Sequence, residues 1–363
     1  GKQQEIIIYA SDQSDNRTEI EFNINKYFDI SPQGPTKLLL DKHPGAAAAY
    51  SLRKLSAKYA GPAIKVRRAS DSLEADVYFD SKGEISFSSI VTNVPETTTG
   101  KPQGDLTFNL GAFTFGEFVG NANYSSAGAT DAFVVVWYDQ SSKGNDAHQL
   151  NAANQPKIHD ATTGMVVDDN RKPAVEFDGS NDFFAGISKP SSTPAETFAM
   201  VLRLDVTTDQ RVLGYPTPSL VTGSPRLFVT SGNFAFNDYE TSPVLYTRAL
   251  SGADTNHNLI FGDLNDTSKT AHIYKNGVAG TDGITLTKPL QLLSYAETNI
   301  KLGSNRNGDG SFMDGKIQEY IRWDSDESSN RTKIESDINN HYSIFTPELE
   351  LGLINEFDGA AAA

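Results

Sequence analysis

The chain has 363 residues, a formal net charge of −15 and no cysteine, with 29 glycines, 14 tyrosines and 20 phenylalanines. Its acidic balance opposes binding to DNA, RNA or anionic lipid, and the lack of cysteine excludes disulfides, thiolate zinc sites and cysteine nucleophiles. No apolar run reaches the roughly 18 residues of a membrane-spanning helix, so no membrane insertion is expected.

In chain order, residues 5–9 read as a short strand, and Ile20, Ile24, Phe28 and Ile30 as one face of a helix. Pro32, Gly34 and Pro35 then predict an extended linker. Residues 46–59 are expected to form a second helix, with Leu52, Leu55 and Tyr59 on one face and Gly61-Pro62 as its stop. A strand comes next at 63–68, and residues 71–118 read as strands broken by Gly83, a Thr-rich turn ending at Gly100, and Gly104.

The stretch 131–148 is the one around which the rest is arranged. Phe133 to Trp137 is an apolar, β-branched run of strand length that ends in the polar loop Tyr138-Asp139-Gln140-Ser141-Ser142-Lys143-Gly144-Asn145. Strand patterns return at 174–177, 198–202, 226–236, 258–261 and 272–274, and Asn276-Gly277 predicts a hairpin turn. Near the end, residues 316–323 read as a strand. Ile334, Ile338, Tyr342 and Phe345 read as a helical face, capped by the polar cluster Ser325-Asp326-Glu327-Ser328.

The two ends of the chain repeat each other. At a constant offset of 314 residues, 22 of the first 49 positions are identical to the last 49, including Asn16-Arg17-Thr18 with Asn330-Arg331-Thr332, Glu21 with Glu335, and the run Gly45 to Ala49 with Gly359 to Ala363. Chance would give about three matches. The expected organisation is therefore residues 1–36 as the end of a preceding repeat plus linker, 37–346 as a complete domain, and 347–363 as a linker and the start of a following repeat.

Three blocks carry a family resemblance: Ala46 to Tyr50 with Ser51-Leu52-Arg53; Ile64-Lys65-Val66-Arg67-Arg68-Ala69-Ser70-Asp71; and Trp137-Tyr138-Asp139-Gln140-Ser141 with Gly144-Asn145. Together they resemble the catalytic domain of α-L-arabinofuranosidases, and are similar to laminin-G-like, concanavalin-type modules of phage virion proteins and large bacterial surface proteins. The resemblance spans residues 37–346. It implies an all-β fold, a two-sheet antiparallel jelly-roll sandwich of the concanavalin/laminin-G type with two short helices, taking ligands on a concave face or loop edge.

A retaining glycosidase needs two carboxylates, one attacking and one protonating. Where the resemblance would place its nucleophile, this chain reads Val229-Thr230-Ser231-Gly232-Asn233, with no carboxylate, and where it would place its acid only Asp309 stands, shifted in sequence. The paired cysteines of the family's sugar site are absent as well. The expectation is a scaffold without its hydrolytic machinery; an active hydrolase would have to use relocated carboxylates such as Asp139, Glu240 or Asp309.

The candidate ligand-binding residues are Trp137, Asp139, Gln140, Asn145, Asn305 and Asp309. An outward aromatic beside polar groups could stack on a sugar ring while those groups bind its hydroxyls; the alternative is that Trp137 fills the core and Asp139 and Gln140 tie down the loop. Asn305 to Gly310 begins like a helix-loop-helix calcium loop, but the twelfth position is Lys316 rather than glutamate. No cofactor is fixed by the sequence, and calcium is the one it leaves open. A looser calcium site using Asp309, Asn305 or Asp314 is left open beside an ordinary Asn-Gly-Asp turn. The six histidines lack the spacing of a zinc helix, and no phosphate loop or Gly-x-Ser-x-Gly elbow occurs.

The resulting reading is a non-enzymatic, lectin-like structural or adhesion module of a tandem-repeat extracellular or virion-surface protein. Its expected partners are glycans or neighbouring copies of the same repeat; the alternatives are an active hydrolase and a purely architectural spacer.

Overall fold

The structure is a computed structural model that describes residues 37–92, 113–120, 129–188, 195–215, 226–230, 232–238, 246–250, 252–265, 267–268, 270–280, 284–285, 299–305 and 307–346. The expected first strand and first helix, both linkers and the repeated run at 359–363 lie outside these residues. Among the described residues the strands of four or more residues are β1 (Ala46–Ser51), β2 (Ile64–Arg68), β3 (Glu74–Val77), β4 (Ala132–Trp137), β5 (Lys157–Asp160), β6 (Val175–Asp178) and β7 (Phe184–Ser188). They continue with β8 (Ala195–Leu204), β9 (Arg226–Thr230), β10 (Asn233–Asp238), β11 (Tyr246–Leu250), β12 (His257–Asn265), β13 (Thr270–Lys275), β14 (Asn299–Leu302) and β15 (Asp314–Trp323). Helices are few: α1 (Leu39–Lys42), α2 (Phe115–Phe118) and α3 (Arg331–Tyr342). The fold is an all-β sandwich.

Strand β15 organises it. Along one edge it pairs antiparallel with β8. Along the other it pairs first with β6 and then with β1. Beyond β8 lie β12 and β13, while the chain of pairings from β6 runs through β5 and β4 to β2 and β3. Because side chains alternate along a strand, β8 sends Phe198, Met200, Leu202 and Leu204 into the interior with Trp137, Phe177 and Phe184. It sends Ala199 and Val201 the other way, under α3, where they meet Leu259, Phe261, Ile321, Trp323, Ile334, Ile338 and Tyr342.

The helix expected at 46–59 is instead strand β1 and an irregular segment that buries Leu52 and Leu55. Alanine favours helices in isolation, but tertiary packing overrides that preference. Both faces of β1 are buried, Ala48 and Tyr50 on the interior side and Ala46 and Ala49 on the helix side, so its small side chains let a strand lie between two packed layers.

Other expectations hold. Residues 132–137, 64–68 and 314–323 are strands, and Asn276 and Gly277 both have positive φ, 53° and 82°, as a primed hairpin turn requires. Arg67 and Arg68 diverge: Arg68 pairs with Asp71 at 2.6 Å, and Arg67 donates to Gln155. The helix cap differs from expectation. A 3₁₀ turn over Ser328–Asn330 precedes α3, and Asn330 stands at its N-cap without a side-chain bond.

Candidate functional site

The loop after β4 is a brace. Asp139, 4 % exposed, accepts the backbone N–H groups of Ala49, Ser141 and Asn145 and the Ser141 hydroxyl at 2.7–3.0 Å. Gln140 accepts from Leu55 N–H and donates to the carbonyls of Ser51 and Arg53, while the Asn145 amide donates to Ala47. These bonds tie the loop to itself through Asp139 and to β1 and the segment after it through Asp139, Gln140 and Asn145. Trp137 is fully buried, edge-on to Phe184 at 6.1 Å, so it cannot serve as an exposed sugar platform. The sequence offered two readings of this block, and the geometry matches the one in which it holds the loop.

Asn305 and Asp309 form a self-contained turn. The Asn305 side-chain oxygen accepts the N–H groups of Asn307, Gly308 and Asp309, and the Asp309 carboxylate accepts the amides of Asn305 and Asn307. Asp314 sits apart, at the start of β15, where burial and the nearby Asp205 and Asp178 carboxylates raise its pKa. The three calcium candidates are thus split between two places. Among the described residues, no three His, Asp or Glu side chains converge to hold a metal ion. Glu240 lies outside the described residues.

A groove of about 440 Å³ opens where α3 ends over the sheet. Ser343, in the left-handed region at φ 56°, terminates the helix, and the Asn339 side chain fixes the next two residues by accepting from the N–H groups of Ile344 and Phe345. This brings Ser343 and Ile344 over the start of β12 and the turn after β13. The floor is a preorganised polar chain: Lys275 donates to Asp254 at 2.7 Å, Asn258 donates to Asp254 at 2.9 Å, and Asn276 donates to Asn258 at 3.0 Å. Asp169, Asn256 and Ser343 stand exposed on the rim.

Electrostatically the groove is balanced. Burial would raise the Asp254 carboxyl, but hydrogen bonds from Asn258, Lys275 and the Asn256 N–H outweigh it and hold the group ionised below its ordinary range. Asp169 pairs with Arg203 at 2.9 Å, and Arg203 also pairs with Asp205 at 2.5 Å. Burial is the largest influence on His257 and lowers its pKa despite the nearby Asp168 carboxylate. Such a surface presents donors and acceptors, and among the described residues it offers no free cation to an anionic ligand. None of its residues was named from sequence as a ligand-binding candidate; Asn276 was read only as part of a hairpin turn. The alternation Asp254-Thr255-Asn256-His257-Asn258 was the available signal, hidden because a polar run before a strand usually reads as a turn.

No family model and no curated protein matches the chain. Among solved structures, a GH54 α-L-arabinofuranosidase soaked with a cyclic sulfate inhibitor aligns with TM-score 0.52 at 14% identity, over 82% of this chain and 63% of that one. An arabinofuranosidase complexed with arabinofuranosyl-α-1,2-xylobiose aligns with TM-score 0.46 at 14% identity, over 82% of this chain and 63% of that chain. A Ruminococcus gnavus sialidase CBM40 module bound to α2,3-sialyllactose aligns with TM-score 0.34 at 13% identity, over 40% of this chain and 82% of that chain. The chain spans about 63% of the arabinofuranosidase's length, and the likeness is one of fold.

Proposed function

We propose that this chain is a non-enzymatic, glycan-binding module of the jelly-roll kind, and that the groove at the end of α3 binds neutral sugars. The observation that carries the reading is the groove's lining. Carboxylate, amide and hydroxyl side chains arrive from four separate segments over a fixed floor, within the roughly 300–1,000 Å³ typical of small-ligand sites. Sugar hydroxyls both donate and accept, as the rim of Asp169, Asn256 and Ser343 does collectively. Arg203 and Lys275, beside the groove, are each engaged by a carboxylate, which favours a neutral glycan over an anionic one.

Absence of hydrolysis is inferred from the spent carboxylates. Asp139 and Asp309 are bound into their own loops, and the sequence 229–233 carries no carboxylate. The internal identity of 22 in 49 positions supports reuse of the module in series, as expected of an extracellular or virion-surface protein. Linked weak sites would then gain avidity without new contacts.

A glycan array probed with the chain, followed by calorimetry on the wild type and on Asn256→Ala, tests the reading. Binding of neutral glycans that weakens in the variant is the expected outcome. Failure of every neutral glycan to bind overturns the site. Release of arabinose from a chromogenic arabinofuranoside overturns the non-enzymatic part.

A further inference from the structure

At the far end of β8 from the groove, and on its opposite face, lies a second polar cluster. Glu196 and Arg322 project inward beside Phe198 and Tyr320; Arg322 is the register partner of Phe198. Tyr215 donates its hydroxyl to Glu196. Glu196 is 2 % and Arg322 1 % exposed, yet among the described residues Glu196 Oε2, Arg322 Nε and Nη1, and Asp324 Oδ1 are buried without hydrogen-bond partners. Asp324 Oδ1 lies 3.3 Å from Arg322 Nε, near enough for attraction but out of line for a hydrogen bond. Buried charges left unbonded are costly, and each calls for an explanation.

The repeat at the chain's start argues against a purely structural one. Residues of β15 and α3 that face the helix layer or its network keep their identity or their aromatic character there: Glu319 as Glu5, Ile321 as Ile7, Ile334 as Ile20, Ile338 as Ile24, with Trp323 as Tyr9 and Tyr342 as Phe28. The three that build the polar cluster do not. Tyr320, Arg322 and Asp324 correspond to Ile6, Ile8 and Ala10. The corresponding positions of the repeat are apolar in sequence, and replacing buried ion clusters by apolar residues is often neutral or stabilising. The strand itself gives no reason to keep an arginine and an aspartate here.

We propose that Glu196, Tyr215, Arg322 and Asp324 form an interior binding site for a small, neutral polyhydroxylated molecule. Two unspent N–H donors on Arg322 stand among unspent acceptors on Glu196 and Asp324, and vicinal hydroxyls satisfy both kinds at once. An anion would meet the two carboxylates, a cation would meet Arg322, and an apolar ligand would leave every group unpaired. Burial pushes the Glu196 carboxyl up to about 7, against the pull of Arg322, so near neutral pH this group can either donate or accept. The site is separate from the groove: Glu196 and Arg203 are seven residues apart on one strand, about 23 Å, and point to opposite faces. Glu196 and Arg322 are buried while Asp324 is a quarter exposed at the edge of the cluster, so reaching the two buried groups waits on local opening and should be slow.

Native mass spectrometry and thermal-shift measurements after prolonged incubation with D-xylose, D-galactose or glycerol test the proposal. At least one of these should load as a slow equivalent whose affinity falls at least tenfold in Glu196→Gln, distinct from any fast equivalent, which belongs to the groove and is the one Asp254→Asn weakens. A second variant combines Tyr320→Ile, Arg322→Ile and Asp324→Ala with Glu196→Leu and Tyr215→Phe. It should melt no lower than the wild type and show no slow equivalent with any of the three probes. If that variant fails to fold, Glu196→Gln decides alone. Absence of a slow equivalent in the wild type, or an unchanged slow equivalent in Glu196→Gln, overturns the proposal.

Discussion

Arg53 holds Glu319 with two parallel hydrogen bonds, Nε to Oε2 at 2.8 Å and Nη2 to Oε1 at 2.9 Å, while Ser51 and Tyr342 donate to the same carboxylate at 2.8 and 3.1 Å. One buried charge therefore joins β1, β15 and α3. Breaking such a pair from one side strands the other charge in the interior, which typically costs about 3–5 kcal/mol. Arg53→Ala should lose stability on that scale by urea unfolding. Arg53→Met combined with Glu319→Leu should recover most of it, because the stranded charge is then gone.

Asn339 acts as a cap made by a side chain. Its amide oxygen accepts two backbone N–H groups and its amide nitrogen donates to the Phe345 carbonyl at 2.7 Å. Loss of comparable caps costs about 0.5–2 kcal/mol. Asn339→Ala should show that loss and should also weaken glycan binding several-fold, although Asn339 does not line the groove, because Ile344 and Ser343 lose their fixed position. Unchanged affinity in a variant with the expected destabilisation would separate the cap from the groove.

How much of this was legible in sequence depends on range. The α3 face of Ile334, Ile338 and Tyr342 and the Asn276-Gly277 turn were readable because helix period and turn chemistry are local. The Ala46 to Tyr50 run was misread because its strand state depends on being covered by β15 on its edge and by two layers on its faces, none of which lies nearby in sequence. Asp139 and Gln140 were named as ligand-binding candidates with loop bracing as the alternative, and only the register of β1 beside them shows the backbone groups they bind. The groove was invisible for the same reason: residues 169, 254, 276 and 343 meet only after the helix crosses the sheet.

Stability should depend on pH through opposed groups. Burial pushes Glu335 up from its ordinary 4.5 to about 7, against the pull of Arg331, so the folded state binds this proton more tightly than the unfolded chain. Its contribution is complete below about 4.5 and is lost as pH rises through 7. His257 and His159, whose pKa values burial lowers, act in the other direction: stability falls as pH drops below their ordinary 6.5. Melting temperatures of the wild type and Glu335→Gln measured from pH 5 to pH 8 should diverge, the variant declining less toward the alkaline end. Parallel curves would show that Glu335 ionises in the folded protein as it does in the unfolded chain.

The groove makes its own demand on Asp254. This carboxylate is the acceptor for Lys275, Asn258 and the Asn256 N–H, so it sets the position of the floor and neutralises the lysine beside it. Asp254→Asn keeps the shape but turns one acceptor into a donor facing Lys275 and frees that cation. Neutral-glycan affinity should fall about tenfold, near 1.4 kcal/mol, the scale of one or two hydrogen bonds. The wild type should bind with little dependence on salt, since a neutral ligand releases no ions, whereas the freed Lys275 should give the variant a new, salt-sensitive affinity for anionic glycans. Calorimetry at low and high salt, with one neutral and one sialylated trisaccharide, checks both halves. A wild type that prefers the sialylated ligand would contradict the charge balance on which the assignment of neutral sugars depends.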